Sequence, residues 1–573
     1  MNTVSKVIIE SLADYGVTHA WGVVGDALNP LTDAIREEPR MEWIGVRHEE
    51  VAAFAAGAQA QLTGGLGLCM GTVGPGSIHL LNGLYDAKKS HAPVLAICGQ
   101  VPTSEIGSSF FQEVNNDVLF SDVAVFAHTV TSADQMPQLL EQAVNAAISR
   151  RGVAVLTVPG NVGGMELAKD VRPARFTPQA AQAAAPSEQI KQAAKVLQGA
   201  GKVSLLVGQG ARDARAEILE LAELLQSPMV LTLKAKEGLE EQNPYQVGQT
   251  GLIGNPAAAA ALDEADVVFM LGTDFPYRDW YPAGKTIIQL DRCAEHIGRR
   301  TQVAHALVGH VRPTLDRLIP LLAGGREGKH LASIRRHYER WLERQQRITD
   351  PDHDRGLLGK VRSLVENPEE FIRPEVIAAE LDKQAADDAI FTTDTGMSTV
   401  WLSRFLRLSG RRRLLGSFNL GSMANAMPQA LGAQSLDRAR QVIANCGDGG
   451  LMMLLGDLRT AVTYDLPVKF IVYNNGRLGM VKLEQEQGGL QEFGTRLDNP
   501  DLAEVARAMG LDSRRVTDPA DVAPAIAAAL SSGGPYLLDL RTNPQEISLP
   551  PKTTASEAWG FAIAKSKEAI ESA

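Results

Sequence analysis

At 573 residues the chain is long enough for three or four domains of about 150 residues each, which excludes a single small binding module. Hydrophobic residues at 45% and charged residues at 21% match ordinary globular proteins and exclude a disordered, collagen-like or coiled-coil chain. Against 67 Asp and Glu stand 56 Lys and Arg, a formal net charge of -11, so no basic surplus exists to grip a phosphate backbone and nucleic acid is not an expected partner.

The N-terminal residues carry Lys6 and Glu10 in an amphipathic pattern that lacks the basic start and apolar core of a secretory signal, so a cytoplasmic location is expected. Val51 to Tyr85 contains no charged Asp, Glu, Lys or Arg, yet its glycines, Pro75, Gln59, Gln61 and Asn82 argue against a membrane span. Cys69, Cys98, Cys293 and Cys446 are too widely spaced for a zinc knuckle or CxxC centre and read as reduced and mostly buried.

Apolar runs that end in turn residues recur along the chain: HAWGVVGD, LGLCMGT, PVLAICGQ, VAVLTVPG, VSLLVGQG, VVFMLGTD, TIIQLD, AIFTTDTG, QVIANCGDGG and VKFIVYNN. Alternating with longer helical patterns, they predict buried parallel strands and an α/β fold, with ligands at the carboxyl ends of the strands. Composition separates the blocks. Residues 1–180 end in an Ala/Pro/Gln-rich linker, residues 186–325 end at AGGREGKH, and residues 373–550 are followed by a tail, 551–573.

The first and third blocks resemble each other. AGAQ at Ala56 returns as LGAQ at Leu431, and HAPVLAI at His91 returns as DLPVKFI at Asp465. Gly76 to Pro93 and Gly450 to Pro467 also span the same number of residues, which favours duplicated halves.

The third block holds Gly447-Asp448-Gly449 after one predicted strand and Asn474-Asn475 after the next. Two adjacent strand ends would set Asp448 beside Asn475, where oxygen ligands suit a hard cation such as Mg²⁺ with a diphosphate completing its shell. The amides of Gly449 and Gly450, entering the next helix, suit phosphate.

That pattern resembles the thiamine-diphosphate (ThDP) signature of the decarboxylase, oxidase and acetolactate-synthase superfamily. The resemblance implies three doubly wound parallel-sheet domains, the first binding the aminopyrimidine of ThDP and the third its diphosphate, with the cofactor held between blocks of two subunits. It assigns Asp448, Asn475 and Arg477 to the metal and Gly476, Leu478, Gly479, Met480 and Val481 to the cofactor loop. In RHEEVAAFAAGAQAQL it makes Glu49, beside Glu50, the carboxylate that activates the cofactor. In NLGSMANAMPQ it makes Gly421, Ser422 and Met423 cofactor contacts, Met423 being the apolar wedge that folds the two cofactor rings together.

The resemblance is closest to bacterial pyruvate oxidase and to quinone-reducing pyruvate dehydrogenase, through SEIGSSFFQE, TGLIG, GTDFPYR, RRLLGSFNLGSMANAMPQALGAQ and CGDGG. It therefore implies FAD in the middle block, contacted by Thr250, Gly251, Leu252 and Ile253, by Thr273, Asp274, Phe275, Pro276 and Tyr277, and by Asp291 as a ribose acceptor. VSLLVGQGARDA is a weak dinucleotide fingerprint because Asp213 replaces the third glycine, and His310 stands where an acid would contact adenine. Phe111 and Gln112 are placed against the substrate, Glu484 faces the reacting carbon, Met480 gates the site, and His79 either borders the site or is a satisfied core histidine.

The implied activity is oxidative decarboxylation of pyruvate to acetate and CO₂ through a hydroxyethyl intermediate, with electrons passing to FAD and then to quinone or O₂. The alternatives are acetolactate-synthase-like carboligation with a structural FAD, and a phosphate-dependent oxidase forming acetyl phosphate. A homo-oligomer, at least a dimer and expected as a dimer of dimers, is implied. The short mixed-charge tail around Trp559, Phe561 and Ile563 predicts at most weak, peripheral association with the inner face of the cell membrane.

Overall fold

The computed structural model describes residues 3–168, 174–176, 182–350 and 371–545. The tail 551–573, and with it the expected membrane contact, lies outside the described residues. Among the described residues no helix is long and apolar enough to cross a membrane.

Three six-stranded parallel sheets organise the chain. The first contains β1 (His19–Gly22), β2 (Glu42–Gly45), β3 (Gly67–Gly71), β4 (Val94–Gln100), β5 (Ala124–Thr129) and β6 (Val153–Pro159). The second contains β7 (Val203–Val207), β8 (Met229–Leu231), β9 (Gln246–Gln249), β10 (Val267–Leu271), β11 (Thr286–Asp291) and β12 (His305–Val308). The third contains β13 (Ile390–Thr393), β14 (Arg413–Gly416), β15 (Val442–Gly447), β16 (Lys469–Asn474), β17 (Asp512–Val516) and β18 (Tyr536–Arg541). The central strands β3, β4, β6, β7 and β10 are buried along their whole length, as helices on both faces of a parallel sheet require.

Strand order shows the duplication. The first sheet runs β2-β1-β3-β4-β6-β5 and the third β14-β13-β15-β16-β18-β17, the same order element for element. The repeated AGAQ and LGAQ lie on corresponding helices, Glu49–Thr63 and Ala426–Leu436. His91 and Asp465, at matching positions before β4 and β16, both take a left-handed backbone, at φ 54° and 50°. The middle sheet differs. Its order β12-β11-β10-β7-β8-β9 sets the first and fourth strands side by side, which opens a crevice at their carboxyl ends of the kind that binds dinucleotides.

The two corresponding helices also join the outer domains. Ala-rich and almost wholly buried, they pack on each other inside one apolar cluster that draws on both domains. The approach is backbone to backbone: a Cβ on Gly432 would lie 2.4 Å from the Ala55 carbonyl oxygen. A polar relay finishes the seam: Trp21 Nε1 donates to Gln59 Oε1 (3.1 Å) within the first domain, and Gln59 Nε2 donates across to Ser435 Oγ (2.8 Å). Because no flexible side chain can yield to a methyl group there, Gly432→Ala is expected to destabilise the protein by about 1–3 kcal/mol in denaturant unfolding. A loss under about 0.5 kcal/mol would show that the helices separate at no cost.

Candidate cofactor site

At the carboxyl end of the third sheet, β15 and β16 pair with Gly447 opposite Tyr473, so the segments that follow them emerge together. Asn474 is a strut: its Nδ2 donates to Asp539 Oδ1 at 2.8 Å, and its Oδ1 accepts from Arg541 at 2.6 Å. Asn475, one residue on, lines a cleft of about 670 Å³ with Asp448. Asp448 opens the short helix Asp448–Met453, and its Oδ2 accepts from the Gly476 amide (3.0 Å) and from Asn499 Nδ2 (2.7 Å). Burial pushes its carboxyl up to about 6, although backbone amides and the Arg541 charge pull it down. A bound divalent cation would relieve that cost.

The cleft fits a metal diphosphate. A Cβ on Gly450 would lie 2.4 Å from Asp394 Oδ2, and one on Gly449 2.9 Å from Leu497, so the chain here has no room for side chains and presents bare backbone. Met423, Leu478, Gly479, Met480 and Val481 also line the cleft. Arg477 lines it too, but its guanidinium pairs with Glu492, so only its backbone carbonyl can serve as a metal ligand. Gly421, at φ 80°, and Ser422 form the turn that delivers Met423; they are held by Ser417, and Asn82 of the first domain donates to Ser422 Oγ at 2.8 Å.

Several cleft residues escaped the sequence reading: Asp394, Thr395, Gly396, Met397, Trp401, Thr542 and Asn543 line it, and Asn499 braces Asp448. For Asp394 the signal was present, an acid at the carboxyl end of a strand in TTDTG. Its Oδ1 accepts from the Ala426 amide (2.9 Å) and its Oδ2 from the Gly447 amide (3.1 Å), while burial raises its carboxyl to about 7.

Glu49 lies elsewhere. It is the first residue of its helix, buried, with His79 Nδ1 2.9 Å from its Oε2 and the His79 ring stacked on His48 at 4.4 Å. An ionised carboxylate only accepts, so against it His79 Nδ1 carries the proton. His79 therefore borders Glu49. Phe111 is 78% exposed, and Gln112, at φ 65°, packs its backbone near Gly74. Among the described residues lining the third-domain cleft, none of Glu49, Phe111 and Gln112 is found. Glu484 also falls outside that lining, exposed on the helix Gly479–Gln487 that carries Met480.

In the middle domain two predicted segments meet: a Cβ on Gly251 (φ 91°) would lie 2.9 Å from the Phe275 ring and 3.4 Å from the Tyr277 ring. Gly208, Gly210 and Gly272 interleave behind them with similarly short approaches. Thr250, Thr273 and Phe275 are buried, Leu252 and Pro276 are exposed, and Ile253 packs against the third-domain core. Asp274 pairs with Arg299 at 3.4 Å. Asp291 Oδ1 already accepts from the Cys293 amide (2.8 Å) and faces His296 Nδ1 (3.3 Å), which leaves Oδ2 for any ribose. Unpredicted were Gln209, Arg212 and Lys234, which line a small polar pocket with Gln61 of the first domain and Arg413 of the third. Burial, with Arg212 nearby, lowers Lys234 to about 8.

Family models for the thiamine pyrophosphate enzymes match the chain in order: the N-terminal TPP binding domain at 2–119, the central domain at 190–318 and the C-terminal TPP binding domain at 394–540. YdaP of Bacillus subtilis (strain 168), named for thiamine pyrophosphate, is 37% identical over 562 residues, 98% of this chain and 95% of its own length. The chain belongs to the thiamine pyrophosphate enzyme family. Pyruvate oxidase of Lactiplantibacillus plantarum is 30% identical, covering 89% of this chain and 83% of that one. Acetolactate synthase of Arthrospira platensis is 31% identical, covering 95% and 94%. The chain is thus a ThDP-dependent enzyme of the pyruvate oxidase and acetolactate synthase type. Asp448→Ala should weaken ThDP binding in the presence of Mg²⁺ by roughly 10- to 100-fold or more while leaving the fold intact. Calorimetry with and without chelator checks this, and an affinity equal to wild type in Mg²⁺ would remove Asp448 from the metal.

Proposed function

We propose that the enzyme oxidises pyruvate with water to acetate, CO₂, two protons and two electrons, and that the electrons leave through FAD to a quinone or O₂. One observation carries the redox reading: a middle domain with dinucleotide-type strand order, which brings Gly251 onto Phe275 and Tyr277, packs Ile253 on the core of the third domain, the domain that holds the Asp448–Asn475 cleft. When bound, ThDP supplies a nucleophilic carbon and an electron sink for decarboxylation, and FAD supplies the two-electron acceptor.

The protein's own part is to hold and to move protons. Asp448, Asn475 and the Arg477 carbonyl would hold Mg²⁺, the Gly449 and Gly450 amides the diphosphate, and Met423 the apolar face between the cofactor rings. Glu49, oriented by His79, would exchange a proton at the pyrimidine nitrogen. Its separation from the cleft lining supports a site completed by a second copy. So do the exposed Phe111 (78%) and Phe493 (85%), apolar area that a monomer would leave in water. In that assembly Phe111 and Gln112 would face the 2-oxo acid, with Glu484 on the rim.

A second reading is carboligation of two 2-oxo acids to acetolactate with a structural flavin. The identity to acetolactate synthase, 31% against 30% for pyruvate oxidase, supports it. Anaerobic addition of pyruvate separates the two. Bleaching of flavin absorbance with stoichiometric acetate is expected, whereas acetolactate without bleaching would sink the oxidase reading.

Glu49→Gln should bind ThDP and FAD as wild type yet turn over roughly 10²- to 10⁴-fold more slowly, the range for lost acid–base catalysis. Steady-state turnover at saturating ThDP measures it, and a rate within about threefold of wild type would take the role from Glu49.

A further inference from the structure

The turn that delivers Glu49 is held from another domain. β2 ends at Gly45, whose amide donates to the Tyr464 hydroxyl at 2.6 Å. Two residues on, the Arg47 amide donates to Asp457 Oδ1 at 2.8 Å. Thr460 Oγ1 donates to Asp457 Oδ1 at 2.7 Å. Asp457 is 1% exposed and sits in the turn Leu455–Asp457, directly after the helix that Asp448 opens.

Its placement is specific. A carboxylate that only glued two domains together could lie anywhere along their seam. This one takes the Arg47 amide, two residues before Glu49, where the chain turns into the helix. The hold passes from Arg47 to its neighbour His48, which reaches Glu49 by two routes. One route is the backbone, since His48 caps the helix with its ring Nδ1 on the Glu50 amide at 3.2 Å. The other is the ring stack, since His48 lies on His79 and His79 bonds the Glu49 carboxylate.

We infer that Asp457 is a positioning residue for Glu49, a clamp from the diphosphate-binding domain that fixes the direction of the Glu49 carboxylate. This rests on the reading of Glu49 as the cofactor-facing carboxylate. The carboxylate takes the Arg47 amide and the Thr460 hydroxyl in charge-assisted bonds, whereas an asparagine there offers those donors a neutral oxygen or turns its N–H₂ on them. A displacement of about 1 Å at a proton-transferring group costs up to about 100-fold in rate.

The test uses the full-length protein loaded with ThDP and Mg²⁺ and needs no substrate: the rate of deuterium exchange at the thiazolium carbon of the bound cofactor, by quenched-flow NMR. Asp457→Asn is expected to slow exchange roughly 10- to 100-fold with ThDP affinity within about threefold of wild type. In a Glu49→Gln background it should slow exchange no further, because a residue that acts through Glu49 has nothing left to act on. Loss by the same factor in both backgrounds would overturn the inference, as would a wild-type rate in Asp457→Asn. A wild-type rate in Glu49→Gln alone would instead fell the Glu49 reading, and the inference with it. Amide hydrogen exchange on the cofactor-free protein gives an independent readout: the Arg47 amide should exchange faster in Asp457→Asn, and unchanged protection overturns the clamp. Should that variant fail to fold, Thr460→Val, which frees the carboxylate of one partner, should shift both readouts the same way by a smaller factor, and no shift would count equally against it.

Discussion

Helices Glu49–Thr63 and Ala426–Leu436 meet with no side chain between them at Gly432 and Ala55, and the architecture of both outer domains follows from that contact. Alanine and glycine on both surfaces let two buried helices close to backbone distance, where dispersion is densest and water is excluded. One helix starts at Glu49 and the other follows directly on the Met423 turn. Fixing their crossing therefore fixes the pyrimidine-side carboxylate relative to the diphosphate domain. The cross-domain bonds of Gln59, Asn82, Tyr464 and Asp457 all lie along this seam, and each depends on its register.

The third-domain cleft works by a division of labour between neighbours in sequence. Asn474 is spent on Asp539 and Arg541, which lock the end of β16, while Asn475, whose Oδ1 accepts from the Arg477 amide at 3.0 Å, lines the cleft with Asp448. Asp394, from the adjacent β13, ties Gly447 at the end of β15 to Ala426 at the start of the seam helix. A buried carboxylate is costly to ionise, and its backbone donors offset that cost only in part. With Asp448 it gives the cleft lining two buried acids, a setting that a cation would complete electrically.

The middle domain shares the class of fold but not the strand order. Its switch point lies between β7 and β10, and the interleaved Gly208, Gly210 and Gly272 give the loops there a tightly packed floor. The weak glycine fingerprint after β7 understated this. Two of the glycines come from β7 and the third from β10, so the motif is assembled across strands rather than along one.

Continuous apolar runs exposed the central strands to sequence reading, since a strand covered on both faces must be apolar throughout. Strands β2, β5, β8, β9, β12, β14, β17 and β18 were not among those runs; six of them, β2, β5, β9, β12, β14 and β17, lie at sheet edges, and β17, Asp512–Val516, carries exposed charge. The pairing of Asp448 with Asn475 was legible because both follow strands in consecutive βα units, and a parallel sheet puts such ends side by side whatever the rest of the chain does. The duplication was legible for the same reason, as a repeated helix and turn at equal spacing. What sequence alone could not supply was everything that depends on which domains touch. The role split between Asn474 and Asn475, the Arg477 side chain turning to Glu492, the bracing by Asn499 and Asp394, and the hold of Asp457 on the turn before Glu49 join residues far apart in the chain. Local pattern fixes which strand end or helix start a residue occupies, but the partner at that end is chosen by the packing of whole domains, and only the tertiary structure decides it.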